Sequence, residues 1–383
     1  MKLSLLFLIL LFAFTNTYSQ NQIRNFKEKF ELPEKVKETS GLLFLDGKII
    51  THNDSGDAAN LYEIDSLSGA ILRTVSISNA TNVDWEDLAE NDTHIFIADI
   101  GNNNGNREDL KIYTILKSDF KESNTVSAET ISFSYEDQTA FSNQPNSSNF
   151  DAEGIVIYEN QILIFTKNWA DLKTNVYKIP LTAGSHVASK ISSANIQGLI
   201  TSATFTEDRF FLTGYDTSLN PFLIYISYNR MPGENIFSSG FTKISLKDEI
   251  GQGSQIEAIA NISDTGKYYI SRENFSTTIS GTTFTFKQKL YEFYDENSAL
   301  LSITKNELAL INISPNPATH KIKIKTSLPF SAIEIYNSFG KKVPTLMIPN
   351  EKEIDVSFLS KGVYYLKIHL KNNTSIVRKI VKL

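Results

Sequence analysis

The 383-residue chain contains no cysteine, and this absence excludes several kinds of chemistry at once. Thiol catalysis, iron–sulfur clusters and cysteine-ligated zinc all need cysteine side chains, so none of them can operate here. Histidine is also scarce, at five residues in the whole chain. A metal site would therefore have to rely on oxygen ligands or on these few histidines.

Long apolar segments are missing after residue 14, although the N-terminus carries a short one. Residues 3–14 are almost wholly apolar and follow Met1 and Lys2. This is the length of the hydrophobic part of a secretory signal peptide, and it is too short to span a bilayer comfortably. We expect cleavage between Ser19 and Gln20, with a retained N-terminal membrane anchor as the alternative. No later segment approaches the roughly 18 consecutive apolar residues that a transmembrane helix needs.

Recognisable catalytic motifs are absent as well. The sequence has no Gly-x-Ser-x-Gly nucleophile motif, no His-Glu-x-x-His zinc motif, no phosphate-binding loop and no dinucleotide-binding fingerprint. Nothing in the motif content therefore supports an enzyme, and a binding or interaction protein is the favoured class.

The charge balance shows no large excess of either sign. The chain has 37 basic and 43 acidic side chains, a net charge of -6, which gives no electrostatic footprint for nucleic acid. We therefore expect no nucleic-acid partner. The two parts of the chain differ, however: residues 20–304 carry 38 acidic and 23 basic side chains, whereas residues 305–383 carry 5 acidic and 13 basic ones. The acidic part suits cation binding, and the basic part suits contact with an anionic surface.

What the sequence does have is the composition of an all-β protein. Aromatic residues make up 11%, mainly as 25 Phe and 16 Tyr, and Ile, Thr and Ser are abundant. Residues of these types favour strands over helices.

The middle of the chain repeats a unit of short alternating strands. First strands begin at residues 38, 84, 151, 199 and 255, and each leads through a polar turn into a more hydrophobic second strand. This pattern predicts a β-propeller of about five four-stranded blades. The last blade lacks a fourth strand, and we expect the alternating segment at residues 25–32 to supply it and close the ring. A β-sandwich of the same strands is the alternative.

Polar residues collect where one face of such a propeller would lie. The starts of the inner strands and the ends of the second strands meet on that face. The first set offers acidic candidate metal ligands, namely Asp84, Glu86, Asp151, Glu153 and Glu257. The second set offers candidate ligand-binding residues, namely His52, Asp54, Asp57, Asn102, Asn103, Arg107, Lys167 and Arg272.

Converging carboxylates repel one another unless a cation or a raised pKa relieves them. Because the available ligands are oxygen atoms, Ca²⁺ is the predicted ion. The alternative interpretation is that these acids cap strands and bind water in the channel. The loops that carry the other candidates are also good turn sequences, so a purely structural role remains open for them.

Four segments, at residues 52–57, 82–89, 98–107 and 151–154, resemble a group of uncharacterised secreted bacterial propellers that are loosely similar to phytase-like esterases. The resemblance covers about residues 36–180. It implies calcium and a phosphoester substrate. The fourth repeat departs from the pattern, with Leu199 and Thr201 where the other repeats carry acids, which puts a complete metal-binding ring in doubt.

The C-terminal segment resembles the type A C-terminal sorting domain of type IX secretion. The residues that carry the resemblance are Ile313-Ser-Pro-Asn-Pro317 and the segments 333–340, 354–368 and 379–382. It implies export by the type IX machinery across the outer membrane, followed by cleavage with release or attachment to surface lipopolysaccharide. Its pattern of short alternating strands predicts a small β-sandwich. An ordinary accessory sandwich is the alternative.

The sequence therefore predicts a signal peptide (1–19), a β-propeller (20–297), a linker (298–307) and a sorting β-sandwich (308–383). The predicted function is that of a secreted or cell-surface ligand-binding protein with an unidentified small-molecule or surface ligand. The alternative is a calcium-assisted phosphoesterase, because acids and scattered cations on one face would suit metal-assisted hydrolysis.

Overall fold

The computed structural model describes residues 23–206, 209–227, 235–262, 266–279, 281–295, 311–326, 329–337, 341–343, 353–370 and 375–383. The predicted signal peptide and the predicted linker lie outside these residues and stay predictions. Strand makes up 60% of the structure and helix 4%, so the predicted all-β class is confirmed.

The larger part of the chain consists of short strands separated by tight turns, with two short helices. In chain order the elements are β1 (Ile23–Glu31), a 3-10 turn (Glu34–Val36), β2 (Thr39–Leu45), β3 (Lys48–Asn53), β4 (Asn60–Asp65), β5 (Ile71–Ile77), β6 (Trp85–Glu90), β7 (His94–Asp99), β8 (Lys111–Leu116), α1 (Lys117–Glu122), β9 (Thr125–Val126), β10 (Glu129–Tyr135), β11 (Ala152–Tyr158), β12 (Gln161–Thr166), β13 (Lys173–Pro180), β14 (Gly184–Asn195), β15 (Leu199–Thr206), β16 (Arg209–Tyr215), β17 (Pro221–Ser227), β18 (Thr242–Ser245), α2 (Lys247–Ile250), β19 (Ile256–Ile262), β20 (Lys267–Arg272), β21 (Phe275–Ile279), β22 (Thr282–Phe286) and β23 (Lys289–Asp295).

These strands form five antiparallel groups. The groups are β2-β3-β4-β5, β6-β7-β8-β10, β11-β12-β13-β14, β15-β16-β17-β18 and β19-β20-β23-β1. The outer strands β10 and β14 pair in parallel and join the second and third groups into one eight-stranded sheet. The short strand β9 pairs in parallel with β5, and β21 and β22 form a separate hairpin.

The innermost strands close a cycle. Strand β2 packs against β6, β6 against β11, β11 against β15, β15 against β19, and β19 against β2. A two-layer sandwich has no such cycle, so the fold is propeller-like. The N-terminal strand β1 pairs antiparallel with β23, with Ile23 opposite Asp295, as the alternation at residues 25–32 predicts.

The hydrophobic core lies between neighbouring groups. Trp85, Ile50 and Tyr113 belong to the cluster between the first and second groups, and Trp85 is fully buried. Phe210 and Phe165 belong to the cluster between the third and fourth groups. Consecutive side chains of a strand enter different clusters: in β12, Ile162 and Ile164 pack on one face and Leu163 and Phe165 on the other.

The C-terminal part has seven described strands. They are β24 (Asn312–Ser314), β25 (Lys321–Lys325), β26 (Phe330–Asn337), β27 (Lys342–Val343), β28 (Glu353–Asp355), β29 (Gly362–Leu370) and β30 (Ser375–Lys382). They form the sheets β24-β25-β28 and β27-β26-β29-β30, and side chains of both sheets share one apolar core. Among the helices of the described residues, none is long and apolar enough to cross a membrane.

Candidate functional site

Each innermost strand carries an irregularity in its pairing at its first residues. The register shifts between Thr39 and Leu42, Trp85 and Asp87, Ala152 and Gly154, Ile200 and Ser202, and Ile256 and Ala258. In four of the five strands one residue is left outside the ladder, and these residues are Glu86, Glu153, Thr201 and Glu257. Since a β-bulge re-aims the side chain that it leaves unpaired, three glutamates occupy equivalent positions around one end of the ring.

The second strand of each group ends at the same end of the ring, where the innermost strands begin. Asp54, Lys167 and Glu273 are the first residues after β3, β12 and β20, and their backbone N–H groups donate to the carbonyls of Glu38, Asp151 and Gln255 at 2.9, 2.7 and 3.2 Å. These bonds hold the end of each second strand beside the start of its own first strand. We call this end of the ring the mouth. Its charged residues are Asp54, Asp84, Glu86, Asp99, Arg107, Asp151, Glu153, Lys167, Glu257 and Glu273.

Three acids of the first two groups form a compact cluster, which we call the carboxylate triad. One carboxylate oxygen from each of Asp54, Asp84 and Glu86 lies within 4.8 Å of the others. Glu86 is only 3% exposed. Gly101 makes room for the triad, because a Cβ at this position would lie 2.1 Å from Glu86 Oε1 and 2.4 Å from Asp84 Oδ2.

Arg107 and Lys167 form ion pairs with Asp99 and Glu153 rather than with the triad, although the charge of Lys167 opposes the rise in pKa of all three triad acids. Burial raises the pKa of Glu86 well above its usual range, and the charges of Glu153, Asp54 and Asp84 raise it further. Burial, with the charge of Asp84, does the same to the pKa of Asp54. The pKa of Asp84 is also raised by burial, although the nearby Arg107 opposes the change. Three acids with raised pKa values at this spacing form a site that favours a bound cation or shared protons.

On the other side of the mouth, a buried lysine, Lys167, supplies a positive charge. Lys167 Nζ donates to Glu153 Oε1 at 2.9 Å, and both side chains are buried. Burial alone would lower the pKa of Lys167, but the charge of Glu153 and its neighbours holds it well above the usual range. The ammonium also lies 5.3 Å from the Trp169 ring and 5.4 Å from the Tyr215 ring. Lys167 is therefore a permanent counter-ion for this side.

Two more acids face this lysine. Burial, together with the charge of Glu273, raises the pKa of Glu257 to about 8. Burial and the charge of Asp54 raise the pKa of Glu273 to about 8 as well. Both carboxyls are therefore protonated over much of the neutral range.

The remaining polar residues of the mouth serve mainly to position the loops. The backbone N–H of Asn102 donates to Asp151 Oδ1 at 2.6 Å, and Trp169 Nε1 donates to Asp151 Oδ2 at 2.7 Å. Arg107 donates to Asp99 Oδ1 at 2.9 Å and to the Gly101 carbonyl at 2.7 Å. Asp151 and Arg107 thus tie neighbouring loops together.

Asp87 closes the mouth from below. Its carboxylate accepts hydrogen bonds from the N–H groups of Leu88, Ile155 and Ala203 and from Ser202 Oγ, at 2.9 to 3.3 Å. Burial raises its pKa to about 8, against the lowering effect of these donors. On the far side the innermost strands of all five groups line a central cavity of about 210 Å³. The mouth is therefore a depression that Asp87 closes at its base.

Four of the eight predicted ligand-binding residues are engaged away from the charged cluster of the mouth. His52 is fully buried, with Nδ1 2.9 Å from the Asn53 carbonyl and Nε2 accepting the N–H of Gly41, and burial lowers its pKa to about 4. Both ring nitrogens are occupied, so a neutral His52 can serve neither as a general base nor as a metal ligand there.

Asp57, Arg272 and Asn103 take other positions. Asp57 accepts hydrogen bonds from Tyr62 and Asn53 at 2.6 and 2.7 Å, which is a turn-stabilising role. Arg272 donates to the carbonyl of Lys287 and to Ser254 Oγ within the fifth group. Asn103 lies in a loop, where its carbonyl accepts the N–H of Asn146.

The list of sequence candidates lacked five residues that matter at the mouth. They are Glu273, Asp99, Trp169, Tyr215 and Asp87. Glu273 follows its second strand just as Asp54 and Lys167 follow theirs, so the repeat alignment carried a signal for it. Asp87 carried none, because only the bulge before it shows that its side chain turns into the ring.

A separate surface pocket lies away from the mouth. It has a volume of about 620 Å³, and its lining includes Glu63, Lys48 and Arg73 on the outer part of the first group. Glu63 pairs there with Arg73 at 2.7 Å and with Lys48. Because these charges are already paired with one another, the mouth is the better candidate for a functional site.

Comparison with known families identifies the C-terminal part. Residues 312–383 match the family described as the secretion system C-terminal sorting domain, and the predicted resemblance to the type IX sorting domain is confirmed. This domain implies interaction with the type IX secretion machinery and export to the cell surface or the medium. No curated protein is similar enough to the chain to count as a relative.

Solved structures offer only distant likeness. The exo-β-1,3-galactanase of Phanerochaete chrysosporium is 8% identical, with a TM-score of 0.42, over 93% of this chain and 100% of that one. A bifunctional GH43-CE protein of Bacteroides eggerthii is 9% identical, with a TM-score of 0.39, over 93% and 54%. A DUF4623 family protein of the same species is 11% identical, with a TM-score of 0.37, over 91% and 71%. Likeness at this level carries no argument about function.

Proposed function

We propose that this protein is an extracellular ligand-binding protein, exported through its sorting domain, whose five strand groups are the blades of a five-bladed propeller. In this proposal the carboxylate triad binds one Ca²⁺, and the mouth presents that ion to a ligand. The two C-terminal sheets form the sorting β-sandwich, which leads either to release or to attachment at surface lipopolysaccharide.

The observation that carries the proposal is the crowding of carboxylates at the triad, since Arg107 and Lys167 form their ion pairs with other acids. Glu86 is almost fully buried, and burial together with the charges of neighbouring acids raises its pKa. Asp54 Oδ1 is buried without a hydrogen-bond partner among the described residues. A buried carboxylate without donors is costly, and a cation removes that cost.

The spacing of the triad fits calcium. Ca²⁺–oxygen distances of about 2.3 to 2.6 Å place two ligand oxygens across one ion at most about 5 Å apart. The oxygens of Asp54, Asp84 and Glu86 lie within 4.8 Å of one another. The proposed calcium site is therefore smaller than the predicted set of five acids, because Lys167 already neutralises Glu153 and its neighbours.

The phosphoesterase alternative has weaker support. A phosphoester needs free cationic donors as well as a metal. Lys167 donates to Glu153, and Arg107 donates to Asp99 and to a carbonyl, so both cations of the mouth are engaged. We therefore place binding ahead of phosphate chemistry.

The test is a calcium titration of the purified chain, followed by calorimetry and thermal unfolding. We expect one bound ion and a rise in Tm, both lost in Glu86→Gln and Asp84→Asn. The control is Asp92→Asn, which changes an exposed acid in the turn between β6 and β7, at the far end of the ring. Wild-type protein that binds no calcium, or triad variants that bind it as well as wild type, would refute the proposal. Hydrolysis of phosphomonoesters, lost in Asp84→Asn, would favour the phosphoesterase instead.

A further inference from the structure

The hydrogen-bonding groups of the mouth are unbalanced. Its side-chain donors are largely engaged within the protein: Lys167 donates to Glu153, Trp169 to Asp151, and Asn102 Nδ2 to the carbonyl of Phe150. Arg107 donates to Asp99, to Asp109 and to the Gly101 carbonyl. Apart from the protonated carboxyls of Glu257 and Glu273, a ligand in the mouth would therefore meet few free donors.

Some hydrogen-bond acceptors of the mouth, in contrast, have no donor within the described part of the chain. Asp54 Oδ1 and Asp99 Oδ2 are buried and have no hydrogen-bond partner in the described part of the chain. Glu86, which is 97% buried as a residue, has a carboxylate oxygen within 4.8 Å of an oxygen of Asp54. Unpaired buried acceptors call for a ligand that brings its own donors, since each one left unmet costs about 1 to 3 kcal/mol.

The charge of the mouth narrows the ligand class. Its named residues comprise eight carboxyl groups against Lys167 and Arg107. Even with one divalent cation bound and both Glu257 and Glu273 protonated, negative charges outnumber positive ones. An anionic ligand, such as a phosphoester or a uronate, would be repelled, because like charges in a partly buried site cost several kcal/mol.

The proposed cation would also lack ligands. Ca²⁺ takes six to eight oxygens, and the triad offers three carboxylates. Asp54 and Asp84 are only half-buried, so the open side of the ion faces solvent. Two adjacent hydroxyl groups of one molecule could take the open positions and donate their protons to neighbouring carboxylates.

An aromatic ring lies on the Lys167 side of the mouth. Trp169 is half-buried, and its ring lies 5.3 Å from Lys167 Nζ on the loop that follows β12. A half-exposed indole offers an apolar surface to the C–H face of a polyol, while the carboxylates bind its hydroxyls.

We propose that the ligand of the mouth is a neutral polyhydroxylated molecule, a sugar or oligosaccharide. Two of its adjacent hydroxyls complete the coordination of the cation, and other hydroxyls donate to the unpaired carboxylate oxygens. This inference rests on the proposed function, because it needs the cation at the triad.

The experiment uses the full chain without its signal peptide and a panel of matched oligosaccharides. Neutral hexose and pentose oligosaccharides are compared with uronate oligomers and with glucosamine oligomers, in calcium and in EGTA. myo-Inositol and inositol hexakisphosphate supply a second pair, which shares one ring and differs by the six phosphate groups that replace the free hydroxyls. We expect neutral members to bind at least about tenfold more tightly than anionic ones, and to lose binding in EGTA and in Glu86→Gln.

Two tryptophan variants separate ligand contact from folding. Trp169→Ala should weaken neutral-sugar binding by about tenfold while calcium affinity stays unchanged. Trp169→Phe keeps a ring but loses the hydrogen bond to Asp151, and it should retain most of the sugar binding.

The results distinguish a failure of the sugar inference from a failure of the proposed cation site. Calcium binding accompanied by preference for uronates, phosphates or glucosamine oligomers, or by no oligosaccharide binding at all, would overturn the inference and leave the proposed cation site standing. Absence of calcium binding would overturn both.

Discussion

The protonated glutamates of the mouth make the stability of the calcium-free protein depend on pH in an unusual direction. Burial raises the pKa of Glu257 to about 8, whereas an unfolded glutamate titrates near 4.3. Between these values the folded state holds a proton that the unfolded state has lost. The free energy of unfolding therefore falls as pH rises through this window, and the loss is complete only above about pH 8.

The magnitude follows from the linkage relation. One carboxyl that is protonated only in the folded state gives a slope of about 1.4 kcal/mol per pH unit. Between pH 5 and 8 this amounts to a loss of a few kcal/mol for the coupled pair of Glu257 and Glu273. Glu273 titrates in the same range and adds to the effect, although the two sites interact.

The assay is urea unfolding at pH 5, 6, 7 and 8 in EGTA, with the double variant Glu257→Gln, Glu273→Gln in parallel. We expect wild type to lose stability steadily from pH 5 to 8 and the variant to lose less, because Asp87, Glu86 and Asp54, whose pKa values are also raised, keep part of the slope. Calcium should restore more stability at pH 8 than at pH 5, because protons compete with the ion. A wild-type profile that is flat or rises toward pH 8, or a variant with the wild-type slope, would show that these carboxyls are not held protonated.

Three further predictions concern single features. Gly101→Ala should abolish calcium binding, because the new methyl would meet Glu86 Oε1 at 2.1 Å; unchanged affinity by calorimetry would refute this role. Asp87→Ala should cost roughly 3 kcal/mol or more in urea unfolding, since it leaves several buried N–H groups without an acceptor; a loss below about 1 kcal/mol would contradict it. Deleting residues 20–31 removes β1 and exposes the edge of β23, so we expect aggregation in light scattering, and a monomeric, fully stable product would count against ring closure by this strand.

The repeat and the location of the mouth could be predicted from the sequence because they depend on local signals. Period-2 alternation and polar turns mark strands wherever they occur, and the topology of a blade then fixes which strand ends meet. Asp54, Asp84 and Glu86 were candidates on that basis, and the structure brings them within 4.8 Å of one another.

Side-chain direction and pairing could not be predicted in the same way. His52 lies in the same segment as Asp54, yet its ring packs edge-on against Trp85 inside the core, 5.5 Å between ring centroids. Lys167 was expected to meet a ligand, but Glu153 fourteen residues earlier engages it first. Both positions depend on β-bulges and on contacts between strand groups. The order of residue types along the chain does not reveal these contacts.

The pairing of β1 with β23 joins residues that are about 270 positions apart in the chain, since Ile23 lies opposite Asp295. Strand β1 therefore has no partner until β23 has been made. The ring can close only after all the strand groups between these two strands have been made. Non-local closure of this kind is slow. A newly made chain thus passes through an interval in which the ring is still open.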